Sequence, residues 1–326
     1  MNTTSFTNVI EGHNIYKKLG NFELNIEELR VPKGFATALI GENGAGKTTL
    51  LNILSGIRLD AKGDIRWFET VTDIDAENTK ERIGYTGPGH YYLPSWTVRQ
   101  VRDITGLLFD NFHEDRFNDW CEKLAIDTEG MVKGRKGKKV SKLSDGNRMK
   151  LMLAGVLARD TELLLLDEPA SPLDPLMRET LNDILRNYLA EGETPAGAGM
   201  TDPYGAGTSA NRGNSSGRTV FFSTHNISDM ERVTDYAIIM AHGKIMEQGF
   251  VEDLKEKYVL IKGDAESASK AKEVLFSFNG TGEYGYEGLC LAEDINKLAG
   301  LDVSKEVPTL FQISVAIMKK ESRVQL

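Results

Sequence analysis

Gly41-Glu42-Asn43-Gly44-Ala45-Gly46-Lys47-Thr48-Thr49 has the G-x-x-x-x-G-K-[ST] spacing of a phosphate-binding loop. Ahead of it, Ala36-Thr37-Ala38-Leu39-Ile40 is apolar and short enough for a buried strand, and residues 48–54 behind it read as the start of a helix. Glycines at 41, 44 and 46 let the backbone curl until successive N–H groups point inward at phosphates, and the positive end of the new helix adds to that field. On this reading Lys47 reaches the β- and γ-phosphates and the Thr48 hydroxyl binds Mg²⁺, while Glu42, Asn43, Ala45 and Thr49 complete the cradle. Each N–H bonded to a charged phosphate oxygen is worth roughly 1.5 to 3 kcal/mol, so several together predict tight binding of ATP or GTP.

Further along, Leu163-Leu164-Leu165-Leu166 is too apolar for a surface strand and predicts a parallel strand covered on both faces. Asp167-Glu168 stands at its exit, where open α/β sheets place their ligands. Asp167 is expected to support Mg²⁺, through water, and Glu168 to polarise an attacking water. Taken alone, an Asp-Glu pair after leucines reads as well as a helix cap. Joined to the phosphate loop, the catalytic reading prevails. About twenty residues upstream, Leu143-Ser144-Asp145-Gly146-Asn147 opens a predicted helix. A serine hydroxyl, a glycine that admits close backbone approach and a helix N-terminus make a second phosphate-binding surface, and the serine also caps the helix.

Composition narrows the partners. The chain has 326 residues, 40% of them apolar, which suits one large domain or a main domain with a small companion. With 48 acidic against 39 basic side chains the net charge is -9, which disfavours nucleic acid as a partner. The basic run 133–139 reads as a solvated loop for the same reason. Cys121 and Cys290 are far apart and lack metal-ligand spacing, which fits buried thiols in a reducing compartment. The first residues resemble no secretion signal, and no stretch approaches the 18 to 20 apolar residues of a membrane span. The expectation is a protein soluble by itself, with any membrane role supplied through a partner subunit.

Residues 6–31 alternate as short antiparallel strands, with Phe22, Leu24, Ile26 and Leu29 facing inward. Strand-like pieces recur at 63–68 and 82–85, and a helical reading covers about 95–160. There Val98, Val101, Ile104 and Leu107-Leu108 form one core stripe, and Phe117, Trp120 and Leu124 another. Residues 191–218 are too poor in apolar side chains to offset ordering entropy and read as a flexible insertion. Thr219-Val220-Phe221-Phe222-Ser223 resumes a buried strand, and 236–240 with 243–246 forms a hairpin. Beyond about Lys255 the spacing changes to a small α/β appendage with strands at 259–261 and 288–291. The division expected is therefore 1–254 and 255–326.

With these motifs in hand, the chain resembles the ATP-binding subunit of an ABC transporter, through Gly41 to Thr49, Leu143 to Asn147, Leu163 to Pro169, Ser171-Pro172-Leu173-Asp174 and Ser223-Thr224-His225 in that order. The resemblance implies an α/β P-loop NTPase with a mixed central sheet, an antiparallel β subdomain, an inserted α-helical subdomain and a small C-terminal appendage. It implies that ATP with Mg²⁺ lies between two ATPase subunits arranged head to tail, a homo- or heterodimer. Ser144 and Gly146 then act in trans, Asp174 lines the dimer seam, and His225 contacts the γ-phosphate. Transmembrane permease subunits would be the partners, at the inner face of the cell membrane, and Tyr91, Tyr92 and Leu93 would receive them. The run 243–249 and the segment Val307-Pro308-Thr309-Leu310-Phe311 are closer to bacterial exporters of peptides, antibiotics or other small hydrophobic substrates.

Four departures from the family pattern stand out. Gly87-Pro88-Gly89-His90 replaces the glutamine expected after the 83–85 strand, with His90 a partial substitute. Leu19 stands where an aromatic stacks on adenine, leaving Tyr16 or Phe22 to serve. Asp145 and Asn147 alter the Ser144 motif, and Pro172 replaces a glycine. Together they suggest slow or tuned hydrolysis. The alternatives are a non-transport ABC ATPase and a slow-hydrolysing clamp driven by nucleotide.

Overall fold

The computed structural model describes residues 6–76, 78–88, 91–128, 137–191, 217–280 and 285–321. Its phosphate-loop strand β3 (Ala36–Ile40) is buried along its whole length inside a six-stranded sheet. The sheet order is β5 (Ile83–Thr86), β6 (Leu163–Leu166), β7 (Thr219–Thr224), β3, β8 (Tyr236–Ala241) and β9 (Lys244–Phe250). All neighbours run parallel except β8 and β9, which form the hairpin. The strands β6, β7 and β8 are buried at every residue, as strands covered on both faces must be, and their centres are accordingly apolar. Because they are parallel, the loop after β3, the acid pair after β6 and His225 after β7 leave the same edge.

The short strands expected in 6–31 are instead one long hairpin, β1 (Asn8–Leu19) and β2 (Phe22–Pro32), of 12 and 11 residues. Leu19 pairs with Phe22 across a turn whose Gly20 has φ 59, the left-handed geometry a tight hairpin demands. β4 (Lys62–Trp67) joins β1 to complete a three-stranded antiparallel sheet. Leu24, Ile26 and Leu29 are buried as expected, but Phe22 is half-buried. The helix α1 (Lys47–Leu54) packs Leu50, Leu51, Ile53 and Leu54 between this layer and the larger sheet.

The helical region holds α2 (Val98–Leu108), α3 (Glu114–Lys123) and α4 (Asp145–Leu157). Thr97 and Gln100 exchange hydrogen bonds at the start of α2 as a capping box. Val98, Val101, Phe117 and Cys121 are buried, whereas Leu107 and Leu108 are 84% and 68% exposed and leave the predicted stripe at the end of the helix. Arg159, buried beyond the end of α4, donates to the carbonyls of Lys80 and Glu81 and to Asn111, with its guanidinium 3.5 Å from the Phe109 ring centre. It ties the end of α4 to the approach to β5. The helix α5 (Pro175–Glu191) follows; the insertion expected at 191–218 falls almost wholly outside the described residues, as does most of the basic run.

Residues 251–321 contribute α6 (Val251–Lys257), β10 (Tyr258–Gly263), α7 (Ala268–Val274), β11 (Ser277–Gly280), β12 (Tyr286–Leu291), β13 (Val303–Glu306) and α8 (Leu310–Glu321). A four-stranded antiparallel sheet runs β11-β12-β10-β13. The returning helix α8 buries Leu310, Ile313, Ala316 and Ile317 in the same core as Ile227 and Met230, just past His225. The Leu310 N–H donates to Glu231 Oε1 at 3.1 Å and fastens that return.

Candidate active site

Glycine is required at the loop for two separate reasons. Gly44 and Gly46 have φ of 87 and 106, and a β-carbon on Gly46 would fall 2.7 Å from Phe22 Cζ. A β-carbon on Gly41 would fall 2.5 Å from the Met240 carbonyl oxygen, so the loop is pressed onto β8. The helix α1 begins with neither a side-chain cap nor an acidic residue in its first turn, which leaves its positive end for an anion. Lys47 is 5% exposed, and its Nζ donates to the carbonyls of Gly41 at 2.7 Å and Glu42 at 3.2 Å. It also lies 3.3 Å from Glu168 Oε1. Glu42, Asn43, Gly44 and Thr48 are exposed, Ala45 is buried, and Thr49 is half-buried.

The acid pair is held by a hydroxyl that sequence reasoning quoted without giving it a role. Ser223 Oγ accepts from the Glu168 N–H at 2.9 Å and donates to Asp167 Oδ1. Glu168 has φ 50, a left-handed backbone conformation rare for a residue with a side chain. Its Oε2 lies 2.8 Å from His225 Nδ1. Burial pushes the Asp167 carboxyl upward, hydrogen bonds from the Ser223 and Thr48 hydroxyls pull it back, and the Glu168 charge adds to the upward push against Lys47. A serine next to the end of the buried strand β7, parallel to the strand that the acid pair follows, is the signal that could have found Ser223.

Asp167 Oδ2 is buried and has no hydrogen-bond partner among the described residues. A buried carboxylate oxygen without a partner is costly, and the Thr48 hydroxyl beside Asp167 adds a second hard oxygen donor. That donor set fits Mg²⁺, which takes one or two protein oxygens and completes its shell with water and phosphate. No group of three or more His, Cys, Asp or Glu side chains forms a metal cage among the described residues.

The structure thus brings Lys47, Thr48, Asp167, Glu168 and His225 together, while Ser144, Gly146 and Asp174 make local contacts. Ser144 caps α4, its Oγ accepting from the Asn147 N–H at 3.3 Å. A β-carbon on Gly146 would lie 2.8 Å from the Pro172 carbonyl oxygen. Asp174 Oδ1 accepts from the Met177 N–H at 3.0 Å at the start of α5. Phe22 lies against Gly46, within the loop's reach. Tyr91 and Leu93 are 43% and 56% exposed, but Tyr92 is buried against α4, its hydroxyl oxygen 2.3 Å from the place a Gly155 β-carbon would occupy. Tyr92 therefore belongs to the core and presents no surface to a partner. His90 lies outside the described residues.

The family model described as "ABC transporter" matches residues 24–171. An uncharacterized ABC transporter ATP-binding protein of Synechocystis sp. is 30% identical over 246 residues, covering 74% of this chain. The chain spans 61% of that relative's length. The nickel import ATP-binding protein NikO of Rhodobacter capsulatus is 29% identical, across 73% of this chain and 87% of its own length. Among solved structures, the dimeric structure of a bacterial ABC transporter cassette superposes with a TM-score of 0.56 at 19% identity, covering 74% of this chain and 98% of the cassette. The fold of the larger sheet and its helices is that of such cassettes.

Proposed function

Since residues 24–171 match the ABC transporter family model, we propose that this chain binds MgATP and hydrolyses it to drive a transporter whose membrane-spanning parts are separate subunits. The observation that carries this reading is the ring of contacts in which Glu168 meets Lys47 on one oxygen and His225 on the other. Lys47, now on loop carbonyls, turns to the β- and γ-phosphates and exchanges neutral acceptors for charged ones. Thr48 and Asp167 are the residues that would hold Mg²⁺, which when bound would offset the negative charge of the phosphates. Glu168, aimed by its left-handed backbone and by Ser223, orients and polarises the attacking water. His225 holds the second Glu168 oxygen and stands where the γ-phosphate ends. Ser144 and Gly146, at the open tip of α4, and Asp174, beside the Pro172 turn, serve the nucleotide of a second copy or a related subunit.

The likeness to ABC transporter ATP-binding proteins supports a place at the inner face of the membrane through permease partners; no helix among the described residues is long and apolar enough to cross a membrane. Tyr91 and Leu93 are the exposed apolar side chains assigned to that contact. Export of a peptide, antibiotic or other small hydrophobic substrate rests on the likeness at 243–249 and 307–311, and the import relative names the competing direction. The catalytic reading is tested with Glu168→Gln, which is expected to keep ATP binding and lower phosphate release about 10³-fold, the scale of a lost general base. Unchanged turnover would remove Glu168 from this role.

A further inference from the structure

A cavity of about 350 Å³ lies between the acid pair and the first turns of α4. Glu168, Asp167 and Arg148 line it, with Gly87, Pro88 and Met152 among the other walls. Gly87 and Pro88 offer the cavity no polar side chain. Two of the residues lining this space each carry a buried atom without a hydrogen-bond partner among the described residues, and the two are of complementary chemistry, Arg148 Nε and Glu168 Oε1. Arg148 is held back by an ion pair with Asp145 at 2.7 Å, and Asp145 is 81% exposed, where water and salt weaken such a pair. The cation nearest Glu168 Oε1 is Lys47, at 3.3 Å.

We propose that Arg148 is a positioning residue of the same chain, which crosses this cavity to take over Glu168 Oε1 when Lys47 turns to the phosphates. This rests on the nucleotide-binding reading above. Once Lys47 turns to the phosphates, Glu168 Oε1 loses the one side-chain cation within 4 Å of it among the described residues. The planar guanidinium brings several fixed donors and stays charged when buried, so it suits a carboxylate that must be held in one orientation. Leaving Asp145 costs little, because that pair is at the surface. Arg148 lies one turn into the helix that Ser144 opens, so the exchange links the state of Glu168 to the tip of α4 within one chain.

The test is a double-mutant cycle on the affinity for AMP-PNP with Mg²⁺, measured by calorimetry where no turnover occurs. Arg148→Ala is expected to weaken binding about tenfold when Glu168 is present, the scale of one carboxylate left unpaired, and less than about twofold in a Glu168→Gln background. Asp145→Asn, a change at an exposed side chain, releases Arg148 and is expected to tighten binding about threefold. Equal losses in both backgrounds, or no loss in either, would overturn the exchange, as would an Asp145→Asn protein that binds like the parent. Should the parent itself fail to bind AMP-PNP, the nucleotide-binding reading falls, a result distinct from failure of the cycle alone.

Discussion

The edge of the larger sheet and the small sheet of β10 to β13 differ in how they treat buried polar atoms. At the first, Asp167 Oδ2, Glu168 Oε1 and Arg148 Nε are buried without hydrogen-bond partners; among the described residues of 251–321 no buried side-chain polar atom is left so. The small sheet instead centres on Ile261, Tyr286, Cys290 and Leu298, and Ser267 in its core is hydrogen-bonded to Asp264. A buried carboxylate oxygen without a hydrogen bond costs free energy, so its survival beside a glycine loop points to a ligand, whereas an apolar layer whose polar atoms are satisfied points to packing. The first region is organised around charge to come, and the second is already complete.

The comparison is sharpened most by Ile261→Ala, which opens the small sheet's core. It is expected to lower unfolding free energy by about 3 kcal/mol, read by denaturant melts, and to leave ATP turnover per folded molecule unchanged. A loss of turnover in the folded protein would show that the two regions are not independent. Gly46→Ala places a β-carbon where φ is 106 and Phe22 is 2.7 Å away. It is expected to weaken MgATP binding by about 2 kcal/mol, roughly 30-fold, by calorimetry, with a smaller effect on stability. Ser223→Ala removes the hydroxyl shared by Glu168 and Asp167 and is expected to lower kcat about tenfold with little change in KM, measured by phosphate release. An unchanged kcat would mean that the acid pair holds its geometry without the relay. The smallest effect concerns Cys121, whose thiol burial pushes up to about 12. At pH 8 about one thiol in ten thousand is then ionised, so iodoacetamide labelling at Cys121, followed by mass spectrometry, should be slow until the protein unfolds.

The phosphate loop, the acid pair and the central strands were legible because each is a local pattern. Four consecutive leucines leave few surroundings other than a covered strand, and a glycine loop between strand and helix has a narrow chemistry. The edge strands β11 and β13 were missed, since Ser277–Gly280 and Val303–Glu306 are polar segments paired on one side only. Arg159 was equally hidden: an arginine becomes core only when Phe109 and the carbonyls of Lys80 and Glu81 fold around it. Tyr92 was misjudged because Tyr91-Tyr92-Leu93 gives no period that separates the buried ring from its exposed neighbours. Ser223 and Arg148 depend on strand register and on the shape of a cavity, neither of which is written in a single segment.

The central claim is that Lys47 leaves the Gly41 and Glu42 carbonyls for a triphosphate. Isothermal titration of the whole chain with MgATP, beside the Lys47→Ala variant, tests it most directly. Saturable binding by the parent, weakened about 100-fold or more in the variant, is the result predicted for loss of a charge-assisted phosphate contact. No uptake of heat by the parent, or equal affinity in the two proteins, would contradict it.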